Sequence, residues 1–176
     1  MNRSRSTIVL ICVAAVVSLA ACAKSTSRNK AFHLGKDLPE FSLQDPRGKV
    51  FTKKDILGDG AVLVVTAPTL SNKKDQEDWA QDLKETKKKG RGRLVFLEDM
   101  SPSAFKGKAR SEMKKRDDPG EDPLLLIDPE GELRKKLGVE EGDTVVLAYD
   151  KKGRLVHEER GKPSQKSASQ IWKSLE

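Results

Sequence analysis

The sequence predicts a single α/β domain, in which a mixed sheet has helices on both faces and starts with a β-hairpin. Three short apolar runs, at residues 61–66, 93–98 and 124–127, alternate with helical patterns. Helices between buried strands imply right-handed crossovers. An antiparallel β-hairpin and a last helix follow these runs. The 176 residues, 36% of them hydrophobic and 35% charged, suit one domain with a modest core and a heavily charged surface.

The domain is expected to begin with an extended segment and a small hairpin. Residues 34–43 are predicted to be extended, because Pro39 disfavours helix at the residue before it. Residues 45–49 have the composition of a turn, residues 50–52 that of a short strand, and residues 53–57 that of a further turn. The pattern therefore predicts a hairpin before the first buried strand.

The first apolar run and the helix after it form the next unit. Residues 61–66 are rich in β-branched side chains, which is typical of a strand covered on both faces. A helix is predicted from Lys73 to about Lys88, with Trp79 and Leu83 on its buried face. Acidic residues in the first turns and lysines before Gly90 complement the helix dipole. The lysine run is either a basic patch for an acidic partner or, as we prefer, a solvated helix end.

The middle of the chain repeats this alternation. Residues 93–98 are predicted as a strand, and a helix is expected over residues 101–116, with Ser101 as its cap and Pro102 at its first position. The residues of this helix at helical spacing are Phe105, Ala109 and Met113. A loop at residues 117–123 leads to a strand at 124–127, and a short helix at 132–137 ends at Gly138.

The chain closes with a hairpin and a helix. Residues 144–149 and 154–157 flank an Asp-x-x-Gly turn, which predicts two antiparallel strands. A last helix is expected from its cap Ser164 to Leu175. The residues predicted to pack inward from it are Ala168, Ile171, Trp172 and Leu175.

The N-terminus has the layout of a secretory signal peptide. Residues 1–7 are basic without acids, and residues 8–17 are apolar. An uncleaved anchor is the alternative, but the apolar run is short for a bilayer that needs about 20 residues. Leu19-Ala20-Ala21-Cys22 resembles the lipobox of bacterial lipoproteins. That resemblance implies cleavage before Cys22, palmitate or a similar acyl chain on its sulfur, and usually acylation of the new amine.

The predicted cleavage defines three segments. Residues 1–21 are the signal peptide, residues 22–33 a small and polar tether, and residues 34–176 the folded domain. Two or more acyl chains give stable membrane anchoring. Ala23 stands where the lipoprotein family's inner-membrane retention signal has aspartate. The expected location is therefore the periplasmic face of an outer membrane, provided that the host has two membranes.

The two cysteines limit the chemistry of the chain. They are too few for a disulfide framework or a four-cysteine zinc site. Cys12 would leave with the signal peptide and Cys22 would carry lipid, so the mature chain would hold no free thiol. Loss of Arg3 and Arg5 lowers the formal net charge from +7 to about +5. Nucleic acid is not expected as a partner, because of the location and because aromatic residues are only 5% of the chain.

Four phrases of the sequence point to one family. Residues 35–43 read Gly-x-x-x-Pro-x-Phe-x-Leu, and residues 62–68 are a strand ending in Ala-Pro. Residues 127–139 hold Asp-Pro-Glu-Gly, a helix and Leu-Gly-Val, and residues 144–156 form the closing hairpin. In this order they resemble the redoxin branch of the thioredoxin superfamily, which contains membrane-tethered thiol-disulfide oxidoreductases and peroxiredoxins. The resemblance covers residues 34–176 and implies a thioredoxin-like mixed sheet.

The family's catalytic cysteines have no counterpart here. Family oxidoreductases follow the first core strand with Trp-Cys-x-x-Cys, where a helix N-terminus lowers the pKa of the first thiol. The residues at these five positions are Thr69, Leu70, Ser71, Asn72 and Lys73. Leu70 offers no nucleophile, and Lys73 opposes the helix dipole. The peroxiredoxin pattern is also absent, since Asn72 takes its threonine position and Asp75 its cysteine position.

The family's second landmark is a cis-proline before the closing hairpin, and Asp143 occupies that position. A cis bond before a residue other than proline costs about 2.5–4 kcal/mol, so a trans or rearranged loop is expected. In the family this backbone also pairs with the substrate chain. The change therefore affects peptide docking as well as catalysis.

Other candidate sites have simpler explanations. His33 and His157 lie far apart and show no metal-ligand spacing. Ser71 lies at a strand-to-helix turn without a nucleophile elbow, and helix capping accounts for it. The acidic residues 117–122 lack a calcium-loop pattern and suit a solvated loop. No metal or cofactor is predicted.

These observations favour a lipid-anchored envelope protein whose redox-inactive thioredoxin-like domain is a binding or structural module. Its expected partner is an envelope protein or a peptide. The most informative surface is the displaced active-site loop, namely Thr69, Leu70, Ser71, Asn72, Lys73 and Asp143. The alternative is a thiol-disulfide oxidoreductase or peroxiredoxin-like enzyme that works without its own cysteine pair, which conflicts with the thiolate chemistry of those enzymes.

Overall fold

The computed structural model describes residues 34–66, 73–88, 91–102, 106–116 and 122–176. A seven-stranded sheet runs through them in the order β2-β1-β5-β4-β3-β6-β7. The strands are β1 Ser42–Gln44, β2 Val50–Thr52, β3 Ala61–Thr66, β4 Arg93–Asp99, β5 Leu124–Asp128, β6 Thr144–Tyr149 and β7 Leu155–Arg160. The helices are α1 Lys53–Leu57, α2 Lys73–Thr86, α3 Lys106–Arg116, α4 Glu132–Lys136 and α5 Gln165–Lys173.

The sheet is mixed, as predicted. Strands β3, β4 and β5 are parallel and connected through helices, whereas β6 pairs with β3 antiparallel along its whole length. Strands β1 and β2 form the expected N-terminal hairpin, which joins the sheet where Gln44 lies opposite Ile127. The α/β prediction, with helices on both faces and a hairpin at the start, is therefore confirmed.

The two faces of the sheet carry separate cores. Alternate residues of a strand point to opposite faces, and the central strands are buried on both. One face packs against α1 and α4, through Ile56, Leu57, Leu133 and Leu137 among others. The other packs against α2 and α5, through Trp79, Leu83, Ala168, Ile171 and Trp172 among others. The continuous apolar runs of the sequence follow from this double coverage.

Two tryptophans join α2 to the C-terminal part of the chain. The Trp79 indole donates to the Gly161 carbonyl at 2.9 Å, and the Trp172 indole donates to the Leu83 carbonyl at 3.0 Å. Both rings are almost fully buried, so these bonds satisfy donors that would otherwise be costly to bury. The predicted inward faces of α2 and α5 are confirmed.

Several boundaries differ from the predictions. The predicted turn at residues 53–57 is helix α1, α2 ends at Thr86 instead of Lys88, and α5 ends at Lys173 although Leu175 still packs against the core. Strand β7 continues to Arg160, beyond the predicted end at His157. Edge positions are hard to predict because frayed ends depend on tertiary contacts.

The predicted start of the third helix is wrong. Ser101 and Pro102 lie in a turn, and α3 begins at Lys106. The Asp99 carboxylate accepts a hydrogen bond from the Ser101 backbone N–H at 2.7 Å. This local bond turns the chain directly after β4 and delays the helix.

The predicted signal peptide, the lipid-bearing Cys22 and the tether lie outside the described residues, as does His33. None of the helices within the described ranges combines the length and the apolar character that a membrane crossing requires.

Candidate functional site

The candidate surface lies where β3 ends and β6 begins. Of its predicted residues, Thr69, Leu70, Ser71 and Asn72 lie outside the described part of the chain. Lys73 is the first residue of α2, and Asp143 directly precedes β6. Because Thr144 pairs with Thr66, the structure brings Asp143 to the end of β3.

Asp143 is held by an ion pair from β7. The Arg160 guanidinium donates to its carboxylate at 3.1 Å and to Glu158 at 2.7 Å. The Asp143 backbone N–H donates to the Glu140 carbonyl at 3.3 Å. Within the described ranges the only cis peptide bond precedes Pro123, so the bond before Asp143 is trans. Asp143, which the sequence resemblance sets at the cis-proline position, thus follows a trans peptide bond and has a charged side chain.

A row of buried polar side chains crosses the sheet beside Asp143. Thr144 of β6 pairs with Thr66 of β3, and Thr66 pairs with Glu98 of β4. Side chains along a strand alternate between the two faces of the sheet. Each of the three lies two residues from a core residue on the face covered by α2 and α5, so all three are on that face. We call Thr66, Glu98 and Thr144 the polar row. It lies beneath the amino-terminal turns of α2, where apolar side chains fill the rest of the same face.

Glu98 is the unusual member of the polar row. Its side chain is only 6% exposed, and burial raises its pKa to about 7, against a smaller lowering by the hydrogen bond from the Gln76 amide. Glu98 Oε2 and Thr144 Oγ1 have no hydrogen-bond partner among the described residues. Such unpaired buried polar atoms are uncommon in folded proteins. The site thus contains a carboxyl group whose burial favours the protonated form to a higher pH than in an ordinary glutamate.

Glu98 was not predicted from the sequence as a site residue. It follows four apolar residues of the second core strand and resembles the polar end of that strand. One sequence signal was available. Side chains along a strand alternate between the two faces of the sheet, and Glu98 lies on the same face as the buried Leu94 and Phe96. Gln76 of α2 covers Glu98, and this tertiary contact cannot be predicted from patterns in a single sequence.

A second buried charge cluster, on the opposite face, has a structural role. Arg134 of α4 donates to the Asp99 carboxylate and to the Val139 carbonyl. Asp128 accepts from the backbone N–H groups of Glu132 and Arg134, both at 3.0 Å, which satisfies the start of α4. Hydrogen bonds and opposite charges thus account for this cluster.

The remaining sequence candidates are not brought together. His157 lies half-buried on β7, 3.5 Å from Glu159. Lys87, from the predicted lysine run, forms an ion pair with Asp122 and stands 5.4 Å from the Trp172 ring centre. Ser71 and residues 117–121 lie outside the described residues. Within those ranges, no group of three or more His, Cys, Asp or Glu residues is arranged to hold a metal ion.

A cleft of about 410 Å³ lies at the other side of the sheet. Phe41, Leu43 and Leu133 line it together with charged residues that include Arg110 and Glu130. Four strand positions separate β1 from β6, a distance of about 19 Å at the usual strand spacing. The β1 side of the cleft is therefore distant from Asp143, whereas its lining residue Ile127 pairs with Glu98, so the cleft adjoins the polar row.

No protein-family model and no curated protein sequence matches the chain. Many solved structures do match it. The exposed lipoprotein thioredoxin of Streptococcus pneumoniae superposes with a TM-score of 0.58 at 21% identity, over 77% of this chain and 98% of that chain. A Chlorobium tepidum protein described as the thiol:disulfide interchange protein DsbE gives 0.61 at 20% identity, over 83% and 100%. Peroxidoxin BcpB of Mycobacterium tuberculosis gives 0.55 at 17% identity, over 82% and 97%.

These structural neighbours establish the fold. They are thioredoxin-like proteins of the redoxin type, and they align over nearly their whole length. The domain therefore has the thioredoxin-like fold that the sequence resemblance implied. Fold alone does not determine activity, which depends on the residues placed at the site.

Proposed function

We propose that this protein is a lipid-anchored envelope protein whose thioredoxin-like domain binds a partner without redox chemistry of its own. One observation carries the proposal. The fold is that of thiol-dependent enzymes, yet no cysteine follows Cys22 in the sequence. Because the thiolate is the nucleophile of thiol-disulfide exchange, residues 23–176 hold no group that could perform it.

The geometry around Asp143 supports the loss of redox function. In the redoxin family a cis-proline stands at this position beside the thiols. Here a half-buried carboxylate is fixed by Arg160, and a buried carboxyl group, Glu98, lies in the polar row beside it. This position therefore lacks the cis-proline that stands beside the thiols in the family's oxidoreductases.

The lipoprotein part of the proposal depends on the sequence. The basic start, the apolar run and Leu19-Ala20-Ala21-Cys22 support cleavage before Cys22 and acylation of its sulfur. One structural neighbour is itself an exposed lipoprotein. Ala23 favours the periplasmic face of an outer membrane as the destination. The partner, an envelope protein or a peptide, would bind at Asp143 and residues 69–73, which correspond to the active-site segment of the family.

Redox inactivity is tested with the chain from residue 22 onward carrying Cys22→Ser, with dithiothreitol as reductant. Disulfide reduction and peroxide consumption are both measured. We expect rates equal to a no-protein control. Turnover clearly above that control would overturn the proposal and support the enzymatic alternative.

The binding surface is tested by site-specific photocrosslinking in the native host. A photoreactive amino acid replaces Asp143, and a matched control replaces the exposed Lys152 at the opposite end of β6. We expect a discrete crosslinked species from position 143 that Leu70→Arg abolishes. Equal crosslinking from both positions, or indifference to Leu70→Arg, would contradict the assignment.

The lipid anchor is tested separately. Globomycin blocks the peptidase that cleaves lipoprotein precursors, so treated cells should accumulate the uncleaved form. Cys22→Ser should give the same accumulation without the drug. Normal processing under both conditions would remove the lipoprotein part of the proposal.

A further inference from the structure

The charges of the domain are segregated along the strand direction. Strands β3 and β4 run in parallel from Ala61 and Arg93. We call the end at which they begin the basal end, and the end at which they finish, beside Asp143, the distal end. The basal end gathers the β6–β7 turn, α1 and the carboxyl-terminal ends of α2 and α5.

Direct contacts hold these basal pieces together. Gly153 of the β6–β7 turn packs against Leu57 and Lys53 of α1. Arg93 donates from its side chain to the Asp55 carbonyl at 3.1 Å and from its backbone to the Gly60 carbonyl at 2.9 Å. The basal end is therefore one continuous surface.

Exposed basic side chains cover the basal end. They come from α1, the end of α2, the start of β4 and the β6–β7 turn: Lys54, Lys84, Lys88, Arg93, Lys151, Lys152 and Arg154. Three acidic side chains at this end form ion pairs with basic ones: Asp122 with Lys87, Asp150 with Arg154, and Glu176 with Arg91. Other acidic side chains, Asp37, Asp55, Asp59 and Glu85, are also exposed here. The basic side chains outnumber the acidic ones, so the end presents a net positive surface.

The distal end has the opposite character. Exposed acidic residues precede β6, follow β5 and lie in the first turns of α2: Glu77, Glu130, Glu132, Glu140 and Glu141. A domain whose net charge is positive at one end and negative at the other orients in the field of a charged surface. The basal end would face a negatively charged surface.

The chain enters the domain at the basal end. Gly35 donates to the Leu155 carbonyl at 2.8 Å, beside the β6–β7 turn, and Leu34 is 66% exposed. Residues 22–33 hold three basic residues, Lys24, Arg28 and Lys30, and no acidic ones. Even fully extended, about 12 residues reach only about 40 Å. A tether attached to lipid would therefore keep the basic end close to the bilayer.

We propose that the basal end is a docking surface for an anionic lipid bilayer, which orients the distal end with Asp143 away from the membrane. The constant proximity of the bilayer rests on the proposed lipid anchor, whereas the affinity of the basal end for anionic lipid does not. Attraction of this kind is short-ranged, falling off within a Debye length of about 8 Å at physiological salt.

Vesicle flotation tests the surface without the anchor. The chain from residue 22 with Cys22→Ser is mixed with phosphatidylcholine vesicles that contain or lack phosphatidylglycerol, at low salt. We expect the anionic vesicles to bind at least about tenfold more protein, and 0.5 M salt to release it. Equal binding to both vesicle types would overturn the proposal. Retention on heparin without vesicle binding would also overturn it, in favour of a soluble polyanion.

Two charge-reversal variants locate the surface. Lys54→Glu, Lys151→Glu and Lys152→Glu change the basal end, and Lys135→Glu, Lys136→Glu and Lys162→Glu make the same charge change at exposed distal positions. We expect the basal variant to lose at least about fivefold in vesicle binding and the distal variant to keep most of it. Equal losses would show that only net charge matters and would contradict the assignment. Circular dichroism checks that both variants fold.

The outcome is separable from that of the lipid anchor. Normal precursor processing under globomycin together with specific vesicle binding would support the docking surface and contradict the proposed lipid anchor. Precursor accumulation without vesicle binding would support the lipid anchor and overturn the docking surface.

Discussion

At the scale of single residues, two buried carboxyl groups at the end of β4 behave in opposite ways. Glu98 faces α2 and meets one amide, whereas the adjacent Asp99 faces α4 and meets a guanidinium. Alternation along the strand sends neighbouring side chains to different faces. The surroundings of each face then determine the direction of the pKa shift.

The pair of Asp99 and Arg134 is predicted to be essential for stability. Burial raises the pKa of Asp99, but hydrogen bonds from Ser101 and the charge and hydrogen bond of Arg134 together hold it below its usual value. Its contribution is therefore present above about pH 4 and lost as pH falls through the lowered pKa. Asp99→Asn should cost about 3 kcal/mol at pH 7, because Arg134 stays buried without a counter-charge.

Urea unfolding measures this loss, and a double variant provides the control. Asp99→Leu combined with Arg134→Met removes both charges, so it should be more stable than Asp99→Leu alone by about 2 kcal/mol. Strict additivity of the two single substitutions would contradict the pairing.

Glu98 is predicted to make stability fall as pH rises. Its pKa is about 7 in the fold and 4.5 for an ordinary glutamate, so the folded state binds more protons between these values. The free energy of unfolding should then decrease from about pH 4.5 to about pH 7, by up to about 3 kcal/mol, and stay lower above pH 7. Glu98→Gln should flatten this profile and stabilise the protein at pH 8.

Denaturant unfolding from pH 5 to pH 8 measures the effect. Gln76→Ala removes the hydrogen bond that lowers the Glu98 pKa, so the decrease should extend to higher pH. A wild-type profile that is flat over this range would exclude a protonated Glu98 in the fold.

At the scale of elements, α3 differs from its neighbours. Its residues are mostly basic or small and form no apolar face. Arg110 ties it to the hairpin, donating to Gln44 Oε1 at 3.0 Å and to the Asp45 and Pro46 carbonyls, both at 3.3 Å. Polar bonds that lie partly in solvent hold an element more weakly than a buried face does.

Arg110→Ala is therefore predicted to loosen α3 alone. Amide hydrogen exchange in Lys106–Arg116 should become at least about threefold faster, while exchange in α2 and α5 stays unchanged. Lys114→Ala, an exposed lysine of the same helix, is the matched control. Faster exchange throughout the protein would show that Arg110 supports the whole core.

The same elements show what the sequence could predict. Apolar runs identified β3, β4, β5 and β6, since burial on both faces leaves a continuous signature. Spacing identified Trp79 and Leu83, and capping identified Ser164, whose hydroxyl accepts from the Ser167 backbone. The start of α3 was mispredicted because Asp99 turns the chain at Ser101. Glu98 was missed because its cover, Gln76, lies 22 residues away.

At the scale of the whole molecule, the first described residues belong to the domain. Gly35, Lys36 and Leu38 exchange three backbone hydrogen bonds with Gly153 and Leu155, at 2.7–2.8 Å. Leu38 is 1% exposed and packs in the core that α1 and α4 cover. Residues far apart in sequence thus close the basal end together.

This closure predicts where the chain can be shortened. A chain that starts at residue 34 should have a free energy of unfolding within about 0.5 kcal/mol of that of a chain that starts at residue 22, since residues 22–33 are predicted to be a small and polar tether. A chain that starts at residue 42 should lose about 2–4 kcal/mol, because it lacks Leu38 and its hydrogen bonds. Thermal and urea unfolding compare the three chains. Leu38→Ala in the longest chain separates the side chain from the backbone pairing. If removing residues 34–41 costs nothing, the folded domain begins after the extended segment and the predicted boundary is wrong.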